Sequence, residues 1–564
     1  MMTNFSNLTR RTFLQTSART ALAGTALSFA QPRAGAQEPP SRPNVILIIT
    51  DDQGFGDLGI HGNPHIRTPN LDRLAQESIE FTRFHVSPVC APTRASLMTG
   101  RYNYRTGVVD TYIGRAMMHS DEITLAEVLG GAGYKTGIFG KWHLGDNYPL
   151  RAIDQGFQEA LVHNGGGIGQ PSDPPGNMYQ NPVLFLNGNA TRFEGYCTDI
   201  FFDAALQYIE RNCNRPFFAY IATNAPHTPL QIADRYVQPY LDMGLNDDTA
   251  RVYGMVENID ENVGKLLRKL DDLQLAENTI LIFMTDNGNQ QNRYTAGLRG
   301  RKGTVYEGGI HVPFIIRYPQ RWQMPRKIDN IAAHIDIMPT LLQACGVPLP
   351  DVKIDGQSLV PLLEGETPEW DRTLFFQWHR GDEPEPFRDC AVCTPRYKLI
   401  NGKELYDLEN DPAEEHDIAA ENPKIVQELR RRYEEWFKDV SSTRGYAPPR
   451  IHLGTEHENP VTLTRQDWRG PQAGWNKDSL GYWEVYTANS GMYDVILRVF
   501  PREQPSRIHF KLGDVHLQHQ LDPNMSFYIF EEVQLPEGEG RLEAWVEVEG
   551  RDVGVSYVDV RKVK

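Results

Sequence analysis

Two adjacent pairs of oxygen-bearing side chains, Asp51-Asp52 and Asp286-Asn287, each follow a short apolar run. They offer hard oxygen ligands with no thiolate or imidazole, which is the donor chemistry of Ca²⁺ or Mg²⁺ rather than zinc. Lys141, His143 and His227 follow two further apolar runs and add cationic or hydrogen-bonding groups. A divalent metal ringed by such donors is a site for an oxyanion. Taken singly, each piece reads as a turn, a helix cap or an ordinary histidine; the combination carries the chemistry.

The elements that must position these groups are legible. Asn44 to Ile49, Lys135 to Phe139, Phe217 to Ile221 and Thr279 to Met284 are runs suited to buried parallel strands. Helical patterns separate them at residues 70–78, 198–211 and 250–273. An α/β protein binds ligands outside the carboxyl ends of its strands, so four strands ending in acids, amides, histidines and a lysine predict one convergent site.

The most specific segment is Ser87 to Arg101, containing Cys90-Ala-Pro92-Thr-Arg94 and Thr99-Gly100-Arg101. Cys-x-Pro-x-Arg followed by Thr-Gly-Arg resembles the signature of type I sulfatases, in the alkaline-phosphatase-like superfamily. Further blocks occur in that family's order, among them Gly140 to Gly145, Ala225 to Pro229, Gly300 to Thr304, Glu307 to Pro313 and His334 to Thr340. The resemblance covers residues 43–440. It implies an alkaline-phosphatase-like sandwich with a mostly parallel central sheet and a small C-terminal sheet. It also implies that Cys90 is converted to formylglycine by a formylglycine-generating enzyme. By the same resemblance Asp51, Asp52, Asp286 and Asn287 hold Ca²⁺, ahead of Mg²⁺, together with residue 90. Arg94, Lys141 and Lys302 neutralise the sulfate. His227, with Lys302, protonates the leaving oxygen, and His143 is the base that releases sulfate. The implied activity is hydrolysis of a sulfate monoester, of a glycan ahead of an aryl alcohol. The alternatives are a phosphonate monoester or phosphodiester hydrolase of the same superfamily and a glycan-binding pseudoenzyme.

Other segments frame this core. His163 and His311 are candidates for the cleft or for structure beneath it, Gly165 to Gly169 reads as a flexible rim, and residues 170–192 read as a long loop. Six cysteines are too few for a disulfide framework, and Cys390 and Cys393 sit on a strand as buried residues. A Glu- and Arg-rich helix over 423–440 is expected to pack on the small C-terminal sheet. Residues 455–564 alternate in the manner of an appended antiparallel β-sandwich, in which Trp468, Trp475 and Trp483 are read as core ahead of sugar platforms.

Residues 1–36 carry four arginines and neither lysine nor acid. Thr9 to Leu14 resembles a twin-arginine motif, followed by an apolar stretch and Ala34-Gly35-Ala36, a small-x-small cleavage site. This predicts delivery by the twin-arginine translocase to the periplasm or outside, with no membrane anchor. The 57 basic and 73 acidic residues give −16, and 53 against 73 after cleavage gives −20. That balance excludes a protein that coats nucleic acid. It does not exclude an anionic substrate, because pocket charge and net charge are separate quantities.

Overall fold

The computed structural model describes residues 42–563, so the signal-like segment 1–36 lies outside the described residues. A ten-stranded sheet forms the centre. Its middle is five parallel strands in the order Thr279–Thr285, Asn44–Thr50, Phe217–Ala222, Lys135–Lys141 and Glu159–His163. Nearly every residue of the first four is buried, as sheets covered on both faces require. One face is covered by the helices Pro69–Gln76, Cys197–Asn212 and Asp247–Asp272, and the other by Cys90–Thr99, Leu125–Gly131 and Ile337–Ala344. The expected helices and strands are thus present, shifted by one to three residues at their ends.

Register sets where the strands stop. Thr50 pairs with Thr285, Ile49 and Gly140 both lie beside Ala222, and Lys141 faces His163. Five strand ends therefore open onto one edge.

Residues 170–192 are not the structureless loop that their prolines suggest. Val183–Leu186 and Asn189–Arg192 form a hairpin that extends the large sheet. Its turn is Asn187-Gly188, both with positive φ (49° and 82°), the Asn-Gly signal of a tight two-residue hairpin.

The small antiparallel sheet runs Leu374–Gln377, Cys390–Cys393, Tyr397–Ile400 and Glu404–Asp407, with helix Pro423–Ser441 packing Tyr433 and Trp436 against it. Cys390 and Cys393 are buried on its second strand. From Ile451 onward a five-stranded path faces a four-stranded sheet across a core containing Trp468 and Trp483. Both indoles are fully buried, so core packing is their role, whereas Trp475 is only partly covered. The same core takes in Ile113, Met117 and Leu150. The chain from Pro43 on is one compact unit.

Gly140 makes the closest strand approach. Its φ is +122°, and a Cβ there would lie 1.8 Å from the Ala222 carbonyl oxygen. Gly140→Ala is expected to leave little soluble protein. Gly131→Ala, at the end of a helix with nothing within 4 Å of the added carbon, should unfold at or above the wild-type temperature. Equal thermal midpoints for the two variants would contradict this account.

Candidate functional site

Every candidate ligand and catalytic residue named from the sequence lies at the shared strand edge. Asp51 and Asp52 leave the Asn44–Thr50 strand, and Asp286 and Asn287 leave the Thr279–Thr285 strand. Asp52 and His143 adopt left-handed backbone (φ 64° and 62°), a conformation costing roughly 1–3 kcal/mol for residues with a Cβ. Cys90 opens the Cys90–Thr99 helix, whose cap residue Val89 is extended and offers no side-chain cap to the first-turn N–H groups. Arg94 stands four residues on, one turn along the same face.

The charges are paired with little access to water. Arg94 donates from Nε and Nη2 to Asp286 Oδ2 at 3.1 and 2.8 Å, and from Nη1 to the Lys141 carbonyl at 3.0 Å. Lys141 Nζ reaches Asp51 Oδ2 at 2.6 Å, with both side chains wholly buried. Lys302 Nζ and Asn287 Nδ2 both donate to Asp52 Oδ1, at 2.6 and 2.8 Å. Three carboxylates thus face three cations.

Burial raises the Asp52 carboxyl, but Lys302 and then His227 outweigh it and hold the group well below the usual range. Asp286 goes the other way. Burial and the neighbouring Asp51 carboxylate push it up to about 6 against the pull of Arg94. Crowded carboxylates of this kind are relieved by a cation.

Three buried oxygens point to the same need. Asp51 Oδ1, Asp52 Oδ2 and Asn287 Oδ1 have no hydrogen-bond partner, and such orphans are rare in folded proteins. Asp51, Asp286 and Cys90 each bring a ligand atom within 4.8 Å of the others, as do Asp51, Asp52 and His227. The oxygen-rich set fits a hard divalent cation.

The two histidines differ in their free nitrogens. His143 Nε2 lies 2.7 Å from the Thr111 carbonyl, so it carries the proton, and the buried Nδ1 is left bare. Burial, then Lys141, hold His143 well below its ordinary pKa, so the ring is neutral with its lone pair at Nδ1. His227 Nδ1 donates to the Thr228 carbonyl at 2.6 Å, leaving Nε2 3.8 Å from Asp52 Oδ2. Burial brings His227 down to about 4 despite Asp52. Lys302 is held cationic by Asp52 against burial and keeps slight exposure.

One expectation resolves differently, and one open pair of alternatives narrows. Gly165 to Ile168 are buried, not a solvent rim. A Cβ on Gly166 would come within 2.9 Å of His143 Cε1, and one on Gly167 within 3.6 Å of His227 Nδ1, so the glycines let this loop run beside both rings. His311 is structural. It contacts Glu307 at 3.0 Å through Nδ1 and donates to the Thr82 carbonyl through Nε2. His163 is buried at the end of its strand beside Lys141.

Sequence reasoning missed Thr111 and Gln466. Gln466, from the C-terminal sandwich, donates to the same Thr111 carbonyl at 3.0 Å that accepts from His143. No motif could reveal it, since the contact joins a backbone oxygen to a residue 355 positions away.

Comparison with known proteins places the chain in a family. The Sulfatase family model matches residues 43–347, and a model described as N-sulphoglucosamine sulphohydrolase, C-terminal, matches 301–439. Human arylsulfatase A is 33% identical over 447 residues, spanning 72% of this chain and 85% of its own length. N-acetylgalactosamine-6-sulfatase of Canis lupus familiaris is 34% identical over 383 residues, 62% of this chain and 70% of its own. The crystal structure of Ps i-CgsB in complex with k-i-k-neocarrahexaose has a TM-score of 0.65 at 29% identity, covering 72% of this chain and 95% of that one. With its Cys-x-Pro-x-Arg segment at a strand edge of paired acids and cations, the chain belongs to the sulfatase family and is a sulfatase enzyme.

Proposed function

We propose that this sulfatase hydrolyses a sulfate monoester of a carbohydrate, using Cys90 converted to formylglycine and a calcium ion at Asp51, Asp52, Asp286 and Asn287. The observation that carries the reading is the set of three orphaned, buried oxygens beside Cys90, ringed by Arg94, Lys141 and Lys302. The carbohydrate preference draws on the relative named for N-acetylgalactosamine 6-sulfate and on the neocarrahexaose complex. The N-terminal twin-arginine resemblance supports export through the twin-arginine translocase to the periplasm or outside. Maturation then requires a formylglycine-generating enzyme.

Bound calcium would supply Lewis-acid stabilisation of the sulfate oxygens. Converted residue 90, as its hydrate, would supply one hydroxyl to displace the alcohol at sulfur and a second whose deprotonation releases sulfate. The chain's own residues do the remainder. Arg94, Lys141 and Lys302 are preorganised donors for the sulfate oxygens, each of a kind worth roughly 3 kcal/mol in the transition state. Lys302 holds a proton for the leaving alcohol. His227 Nε2 lies beside the same Asp52 carboxylate, where it can hydrogen-bond to the departing hydroxyl. His143 Nδ1, bare and neutral, accepts the proton of the second hydroxyl, while Thr111 and Gln466 fix its ring.

Coexpressed with a formylglycine-generating enzyme, the chain should turn over sulfate monoesters far faster than phosphodiesters with matched leaving groups; the reverse order would replace this reading with the phosphodiesterase alternative. Cys90→Ser should turn over at most once, and steady multiple turnover by that variant would contradict the mechanism. An intact mass showing unconverted Cys90 in active enzyme would contradict it equally. Calcium should raise the unfolding temperature of metal-stripped enzyme, by about 2.7 kcal/mol of stabilisation at a hundredfold excess over Kd. Asp51→Ala should abolish that shift, and a shift that survives it would remove the assigned ligand set.

A further inference from the structure

The fold brings Arg380, which follows the Leu374–Gln377 strand, to the flank of the site. Residues 110–115 run beside His143, because the Thr111 carbonyl accepts its Nε2–H at 2.7 Å. On the opposite side Trp378, just after the Leu374–Gln377 strand, packs over Gly303, the neighbour of Lys302. A Cβ on Gly303 would lie 3.0 Å from the Trp378 ring.

Arg380 is held between these two segments. Its guanidinium lies 4.4 Å from the Tyr112 ring centroid and 5.0 Å from that of Trp378. Nη1 donates to Asp110 Oδ1 at 2.7 Å and reaches Thr111 Oγ1 at 3.4 Å. Trp378 Nε1 donates to the same Asp110 oxygen at 3.1 Å. Two stacked rings and an ion pair fix the planar group, so little rotamer entropy remains to be lost on binding. The side chain is nonetheless 48% exposed. Nε and Nη2 make no hydrogen bond among the described residues.

The local charge is not cancelled. Arg115 pairs with Asp110 and Asp382, Arg380 with Asp110, and Arg469 with Asp382. Within this ion-pair network three arginines share two aspartates, one positive charge in excess. Arg115 and Arg469 are only 13% and 10% exposed, so Arg380 presents it. The C-terminal sandwich, beyond both matching family models, braces this arrangement. Arg469 also donates to the Gly114 carbonyl at 3.2 Å, and Trp475 meets Tyr112 edge-on at 5.3 Å.

We propose that Arg380 forms a subsite for an anionic group of the substrate other than the sulfate being hydrolysed, namely a carboxylate or second sulfate on a glycan. The inference rests on the sulfate-ester reading above. It follows from a fixed, half-exposed guanidinium with two free donor nitrogens, held against Thr111, whose carbonyl orients His143, and against the adjoining Tyr112 ring. Bidentate recognition of carboxylate and sulfate is the chemistry arginine performs and lysine does not.

The test measures inhibition of 4-nitrophenyl sulfate turnover by three competitors. They are N-acetylgalactosamine 6-sulfate, its 4,6-disulfate, and the 6-sulfate joined to a uronic acid. Wild type should prefer a dianionic competitor over the monoanion. In Arg380→Gln that preference should fall about tenfold, the size expected for one charge-assisted hydrogen bond. Arg380→Lys, which keeps the charge and loses the fork, should fall between the two. Which dianion responds distinguishes a second sulfate from a carboxylate. An unchanged preference in both variants, or equal weakening of all three competitors, would overturn the proposal and leave the sulfatase reading standing. Failure of the wild-type enzyme to cleave any sulfate ester would instead overturn the reading on which the proposal rests.

Discussion

Three carboxylates and three cations packed together at one sheet edge, all but Lys302 wholly buried, are the constraint on which the rest of this structure depends. Asp51, Asp52 and Asp286 have no exposed side-chain surface, and neither do Arg94 and Lys141. Removing one partner of a buried pair typically costs 3–5 kcal/mol, because the other charge is left uncompensated. The pairs balance in number, yet three oxygens of the set remain without partners. A divalent cation would satisfy those oxygens and leave an excess positive charge, which is the electrostatic condition for holding a sulfate. An acidic protein can therefore keep an anion-binding pocket, since exposed charges farther than roughly 8 Å are largely screened at physiological salt.

The scaffold serves this constraint through register and strain. Parallel strands ending together bring residues 235 positions apart into contact, as with Asn287 and Asp52. Left-handed backbone at Asp52 and His143 turns those side chains at the strand ends, and the surrounding ion pairs and packing hold it there. Glycines appear where chains must nearly touch, at Gly140 against Ala222 and in the loop beside His143. The C-terminal sandwich also contributes. Its Gln466 shares the Thr111 carbonyl with His143, and its Arg469 braces the rim carrying Arg380.

Much of this was legible from residues alone. Continuous apolar runs ending in Asp51-Asp52 and Asp286-Asn287 marked buried strands and their functional ends, because burial on both faces leaves a sequence signal that needs no partner. The helix opened by Cys90 and the buried strand bearing Cys390 and Cys393 were likewise readable. The Asn187-Gly188 hairpin has a local turn signal, but the surrounding prolines and glycines mask it. Gly165 to Ile168 looked like a rim because glycine composition does not distinguish exposure from close packing.

Residue types and spacing suffice to predict which side chains meet at the strand edge, their donor chemistry and the family, because strand ends and short motifs encode these locally. Tertiary structure alone decided the rest. Which nitrogen of His143 is bare depends on the Thr111 carbonyl, and whether Trp468 and Trp483 face sugar or core depends on the facing sheet. That Arg380 stands stacked beside the site depends on segments separated by hundreds of residues. Such contacts are set by packing between distant parts of the chain, and packing leaves no periodic trace in any one of them.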